Sequence, residues 1–161
     1  MMPAGVVVLI VAHFAHNDDC PRAVATLLSA EQTFAVRLSL IVVTVVLMAV
    51  SFPHALEDFQ YGGLSRFGVS LGAAHVILLV AYALQFLGVV LTARGHRAGP
   101  PLLGGMGLVW CTGAVLVHGH ELLFAAPGYR HGIISRLLEG AIIVLGATAA
   151  VLGLIGRKSH V

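Results

Sequence analysis

Charged side chains are what this sequence has least of. Nine Lys and Arg and seven Asp and Glu make up 10% of its 161 residues, against about 25% in a soluble domain. That scarcity excludes a globule with a water-facing surface. Cysteine is nearly absent too. Of the two, Cys20 precedes the first long apolar run and Cys111 lies within the third, so no disulfide framework can be read from them. Lysine occurs once, and the eight arginines are scattered rather than clustered. A net charge of +2 without a basic tract points away from nucleic acid as a partner. Aromatics are 7% of the chain, and the one tryptophan, Trp110, falls inside an apolar run rather than in an interfacial belt. Walker loops, dinucleotide fingerprints and the HExxH zinc motif are all missing.

Apolar residues fill the space, at 58% of the chain. Segments 38–56, 67–93, 98–120 and 140–156 contain no Asp, Glu, Lys or Arg. Each is near the roughly 20 residues that a membrane-crossing helix requires, and runs of this length suit helices rather than barrel strands. The expected fold is all-α: an integral membrane four-helix bundle with a short apolar, interfacial N-terminal segment. Residues 1–33 form that segment, 34–156 the membrane domain and 157–161 a tail. Punctuation places the spans at about 34–52, 68–93, 101–126 and 132–156. Ser51-Phe52-Pro53 ends the first, and Pro100-Pro101 opens the third. Arg22, Arg37, Arg94, Arg97, Arg157 and Lys158 lie on one side, and Arg66, Arg130 and Arg136 on the other. This bias predicts a plasma (inner) membrane protein with both termini cytoplasmic.

Nine histidines stand out against so few polar residues. Polar groups in lipid are expensive and invite a functional reading. His75 lies seven residues into the second span, His118 eight before the end of the third, and Glu139 seven into the fourth. At 1.5 Å per residue all three sit about 10–12 Å below the same boundary. Antiparallel pairing of the third and fourth spans around Gly128-Tyr129 sets His118 level with Glu139, and Glu121 level with Arg136. His118 with Glu121, and Arg136 with Glu139, are three apart and share helix faces. His120 points away from His118, which is the expected inward residue. His75, Tyr82 and Gln85 form a polar stripe on the second span. Arg37, Thr44 and Ser51 form another on the first, spaced by seven.

Three uses fit these residue types. A structural layer would tie helices together, with Glu121–Arg136 as its ion pair. Haem b could be held with His75 and His118 as axial ligands. A transition-metal or proton site could use His118, Glu121, Glu139 and His75, since imidazole with carboxylate suits zinc, copper or iron. The functional expectation is a haem b- or metal-binding membrane subunit for electron transfer, without catalytic activity of its own. The alternatives are a non-catalytic scaffold or assembly subunit, and a small ion or proton transporter protomer.

Other features carry less. Gly68-Val69-Ser70-Leu71-Gly72 matches the hydrolase pattern G-x-S-x-G, but it opens a membrane helix rather than a strand-to-helix turn. The segment 53–67 reads as an interfacial turn; its functional alternative is a lid in which His54, Glu57 or Asp58 completes a site. His13, His16, Asp18, Asp19 and Cys20 have metal-ligand spacing with nothing to fix their geometry. Gly146, Ala147, Ala149, Ala150 and Gly153 make the fourth span a small-residue helix, suited to close packing within the bundle or to self-association. The bilayer is the expected partner, with other membrane subunits or a second copy beside it.

Overall fold

A computed structural model of the chain describes residues 20–61, 65–124 and 132–158, and their side chains apart from residues 20–30, Arg66, Glu121 and Lys158. Among the described residues there are four long helices and no strand: α1 Cys20–Tyr61, α2 Leu71–Ala93, α3 Gly99–Phe124 and α4 Ile133–Lys158, with a 3-10 turn at Ser65–Phe67 before α2. The chain divides into two units, Met1–Ala35 and Val36–Val161. Of the first, the helix from Cys20 is described, with side chains from Glu31 onward. The core and the site described below belong to the second. Four segments are long and apolar enough to cross a membrane: Glu31–Tyr61, Leu71–Ala93, Gly99–His120 and Ile133–Arg157. Leu79, Leu116, Leu123 and Leu137 are among many large apolar side chains left exposed. Such surfaces are intolerable in water and natural in lipid. The chain is a multi-pass helical membrane protein.

The first helix does not stop at Pro53 but runs on to Tyr61. Proline removes one backbone donor and disfavours the helical conformation of the residue before it, which is why the sequence suggests an end there. Membrane helices tolerate this where neighbours re-satisfy the freed groups. Here the turns beyond Pro53 bury Ala55, His54 and Glu57 against the bundle. Segment 53–61 is therefore helix, not an interfacial turn. A heptad runs through α1: Leu40, Leu47 and His54 share one register, Thr44, Ser51 and Asp58 the other. Leu40, Thr44, Leu47 and Ser51 are at most 1% exposed. The face that carries the core thus also carries His54 and Asp58.

Two core clusters lie along this face. Leu40, Leu103 and Ala149 form one, and Leu47, Ala114 and Ile142 the other, with Trp110 packed against it. In lipid such packing is held by dispersion and close fit rather than by water exclusion. The closest approach is between α3 and α4. A Cβ on Gly107 would lie 2.6 Å from the Gly146 carbonyl oxygen, and one on Gly146 2.7 Å from that of Gly107. The small-residue face of α4 is thus filled by α3 of the same chain, with Cys111 packed beside Gly146. Ser70 of the hydrolase-like motif is the N-cap of α2, its side chain accepting from the Ala73 N–H at 3.3 Å. Its hydroxyl does a cap's work.

Candidate metal centre

Three helices bring five ionisable side chains together at the end of the bundle where α1 finishes and α4 begins. α1 supplies His54, Glu57 and Asp58, α3 supplies His118, and α4 supplies Glu139 with Ser135 one turn before it. His118 is 2% exposed, His54 4%, Glu57 7% and Glu139 0%; the Asp58 side chain is 13% exposed. The segment 54–58 reaches this point because Pro53 does not end α1, and the i, i+3 and i+4 spacing of His54, Glu57 and Asp58 puts all three on one face.

The two imidazoles point the same atom at the same place. His54 Nε2 and His118 Nε2 are 3.3 Å apart, His118 Nε2 and Asp58 Oδ2 are 3.1 Å apart, and His54 Nε2 and Asp58 Oδ2 are 3.5 Å apart. These three atoms form a nearly equilateral triangle. Behind the rings stand two more carboxylates. Glu139 Oε1 is 3.4 Å from His118 Nδ1, and Glu57 Oε2 is 3.8 Å from His54 Nδ1. Glu57 in turn accepts a short hydrogen bond from the Ser135 hydroxyl through its other oxygen. Each imidazole therefore lies between the triangle and a carboxylate.

Hydrogen bonds alone serve such a triangle poorly. Each Nε2 carries at most one hydrogen and Asp58 accepts, so if both rings donate to Asp58 the nitrogen–nitrogen edge has no hydrogen across it. Two buried carboxylates, Glu57 and Glu139, and the part-buried Asp58 also gather negative charge around the two rings, an environment that favours a cation. No family model matches this chain. Neither a curated protein nor a solved structure matches it either. What the site does must be argued from its own atoms.

His54, His118 and Glu139, all buried, each offer a ligand atom within 4.8 Å of the others. Of the residues singled out from sequence, His118 and Glu139 meet here, at the common level that antiparallel counting gives them. His75 does not join them. It is exposed, its Nδ1 lies 2.7 Å from the Leu71 carbonyl oxygen, and its ring lies against Phe59 with centroids 4.3 Å apart. Ala74 is the residue of that turn that faces inward, at 2% exposure, and one position along a helix is a rotation of about 100°. His120 is exposed against Phe124. Arg136 is half-buried one turn before Glu139. Glu121's side chain, and hence the Glu121–Arg136 pair, lies outside the described residues, as do His13, His16, Asp18, Asp19, the Cys20 side chain and residues 125–131. His54 and Asp58 are the ligand-type residues that sequence reasoning assigned to a loop. Their signal was the continuation of the α1 heptad past Pro53.

Further into the membrane, Tyr82 and Gln85 do face the interior. The Tyr82 hydroxyl lies 2.9 Å from the Ser51 hydroxyl, and the Trp110 indole N–H donates to Gln85 Oε1 at 2.9 Å. A cavity of about 220 Å³ lies between this layer and the triangle, and His54, Asp58 and His118 all line it.

Proposed function

We propose that this membrane protein holds one divalent transition-metal ion, with His54 Nε2, His118 Nε2 and Asp58 Oδ2 as its ligands. Glu139 and Glu57 are then the carboxylates that orient the two rings from behind, the usual second layer of a histidine metal site. The observation that carries this reading is the triangle itself. Metal–nitrogen and metal–oxygen bonds of about 2.0–2.1 Å at tetrahedral angles separate ligand atoms by about 3.3–3.4 Å, and the three edges measure 3.1, 3.3 and 3.5 Å. Three protein ligands leave a fourth position open, the pattern of reactive rather than purely structural sites. Imidazole with carboxylate accommodates zinc, copper or iron; zinc makes the centre a Lewis acid, copper or iron an electron carrier.

Haem b between His75 and His118 is disfavoured. His118 directs both nitrogens at side chains of the cluster, His75 lies outside it, and a 220 Å³ cavity is smaller than the roughly 300 Å³ at which ordinary ligand pockets begin. The test is elemental analysis and visible absorption of detergent-purified protein. The expected result is one equivalent of metal per chain and no Soret band, with the metal lost in Asp58→Asn. A protein that takes up no zinc, copper or iron when offered them would end the metal reading; a Soret band would restore the haem one.

A further inference from the structure

The cavity beside the triangle is not needed to hold an ion. Five of its lining residues are among the smallest available, Ala55, Ala74, Ala81, Gly113 and Ala114, spread over α1, α2 and α3. Facing small side chains on three helices leave a space that close-packed interiors normally fill. Nothing lies within 4 Å of where a Cβ on Gly113 would stand. Apart from His54, Asp58 and His118 the wall is apolar, with the Trp110 ring as part of it.

The mouth of this chamber faces lipid. Ile77 of α2 and Val109 of α3 both line it, and both are 58% exposed. Ile77 lies six residues into α2, about 9 Å along the helix, which puts the opening at hydrocarbon depth. Its size is informative too. An engineered apolar cavity of about 150 Å³ accepts benzene, and this one, at about 220 Å³, takes a ring with a few substituent atoms but nothing polycyclic.

We infer that the chamber admits a bilayer-dissolved molecule of one ring, a phenol or quinol head, whose oxygen meets the open side of the His54–Asp58–His118 triangle. The inference rests on the metal reading above and adds the class of molecule the site receives. An apolar body suits the alanine, glycine and aromatic walls, and an oxygen donor suits the open position of a metal held by imidazole and carboxylate. The route runs between α2 and α3 from the membrane, so water-soluble ligands of the same head group are at a disadvantage.

Trp110 makes this testable, because it lines the cavity and is the one tryptophan of the chain. Purified protein loaded with cobalt(II), its metal content measured first, is titrated with 4-propylphenol and, separately, with propylbenzene. Expected are saturable quenching of Trp110 by the phenol, a change in the cobalt visible spectrum at the same concentrations, and at least tenfold weaker binding of propylbenzene with no spectral change. Gly113→Leu, which grows a side chain into the empty space, should weaken phenol binding at least tenfold while cobalt is still bound. Cobalt bound without saturable quenching overturns the inference and leaves the metal reading standing. Quenching with an unchanged cobalt spectrum, or propylbenzene binding as tightly, overturns it as well. Protein that binds phenol but no metal overturns both.

Discussion

The Nε2 atoms of His54 and His118 face each other across 3.3 Å although the residues stand 64 positions apart. Two imidazoles present the same nitrogen to one point, and an aspartate oxygen completes the triangle. The arrangement depends on α1 carrying its helical register through a proline. Without the turns after Pro53, neither His54 nor Asp58 would reach α3.

If the triangle binds the ion, His54→Ala, His118→Ala and Asp58→Asn should each weaken metal affinity by more than the roughly 10–100-fold expected of an outer-layer change. Competition against a chelator, read by elemental analysis, measures this. His75→Ala should leave the affinity where it was. A loss of metal in the His75 variant equal to that in His118→Ala would return His75 to the ligand set.

Glu139 stands behind His118 rather than in the triangle. Glu139→Gln keeps the size of the side chain and removes its charge, so affinity should fall by about 10–100-fold with the ion still bound at saturation. Circular dichroism should show the helices intact. A loss as complete as in Asp58→Asn would make Glu139 itself a ligand.

The α3–α4 contact has its own signature. A Cβ on Gly146 would meet the Gly107 carbonyl oxygen at 2.7 Å and the Cys111 nitrogen at 2.9 Å, backbone atoms that cannot swing aside. Gly146→Val should therefore destabilise by about 1–3 kcal/mol or more, seen as a lower thermal midpoint in detergent. Gly105→Ala meets nothing within 4 Å and should gain up to about 1 kcal/mol from helix propensity. Equal midpoints for the two would contradict the backbone-to-backbone packing.

Gln85 is fully buried, accepts from the Trp110 indole, and has no hydrogen-bond partner for its Nε2. Gln85→Leu strands the indole N–H, and Trp110→Phe strands the amide oxygen, so each single change should cost about 1–3 kcal/mol. The double variant should lose clearly less than the sum, with a coupling of about 0.5–1.5 kcal/mol in a double-mutant cycle of thermal stabilities. Strict additivity would mean the bond contributes nothing.

Parts of the centre were legible before any fold was known. Helical rotation lets only one of His118 and His120 face inward, and Glu121 on the face of His118 favours His118. The common depth of His118 and Glu139 follows from counting along two antiparallel helices. Gly146 and Gly153 announced a close helix contact, though not that α3 of the same chain would fill it. His75 misled, because its seven-residue spacing to Tyr82 left a rotation of about one position unresolved, and Ala74 took the inward place. From sequence His54, Glu57 and Asp58 read only as parts of a lid, because Pro53 suggests a helix end where the heptad in fact continues.

By itself the sequence determined the solvent and the architecture. Runs free of charge, each near the length of a bilayer crossing, leave helices as the only way to satisfy the backbone, and that follows from local composition alone. Only the tertiary structure decided which polar groups meet. Depth along a helix can be counted from sequence, but rotation about its axis, and whether a helix survives its own proline, are settled by contacts with the other helices. His54, Asp58 and His118 converge because α1 packs one continuous face against α3 and α4, with Leu40 and Leu47 in the same register as His54.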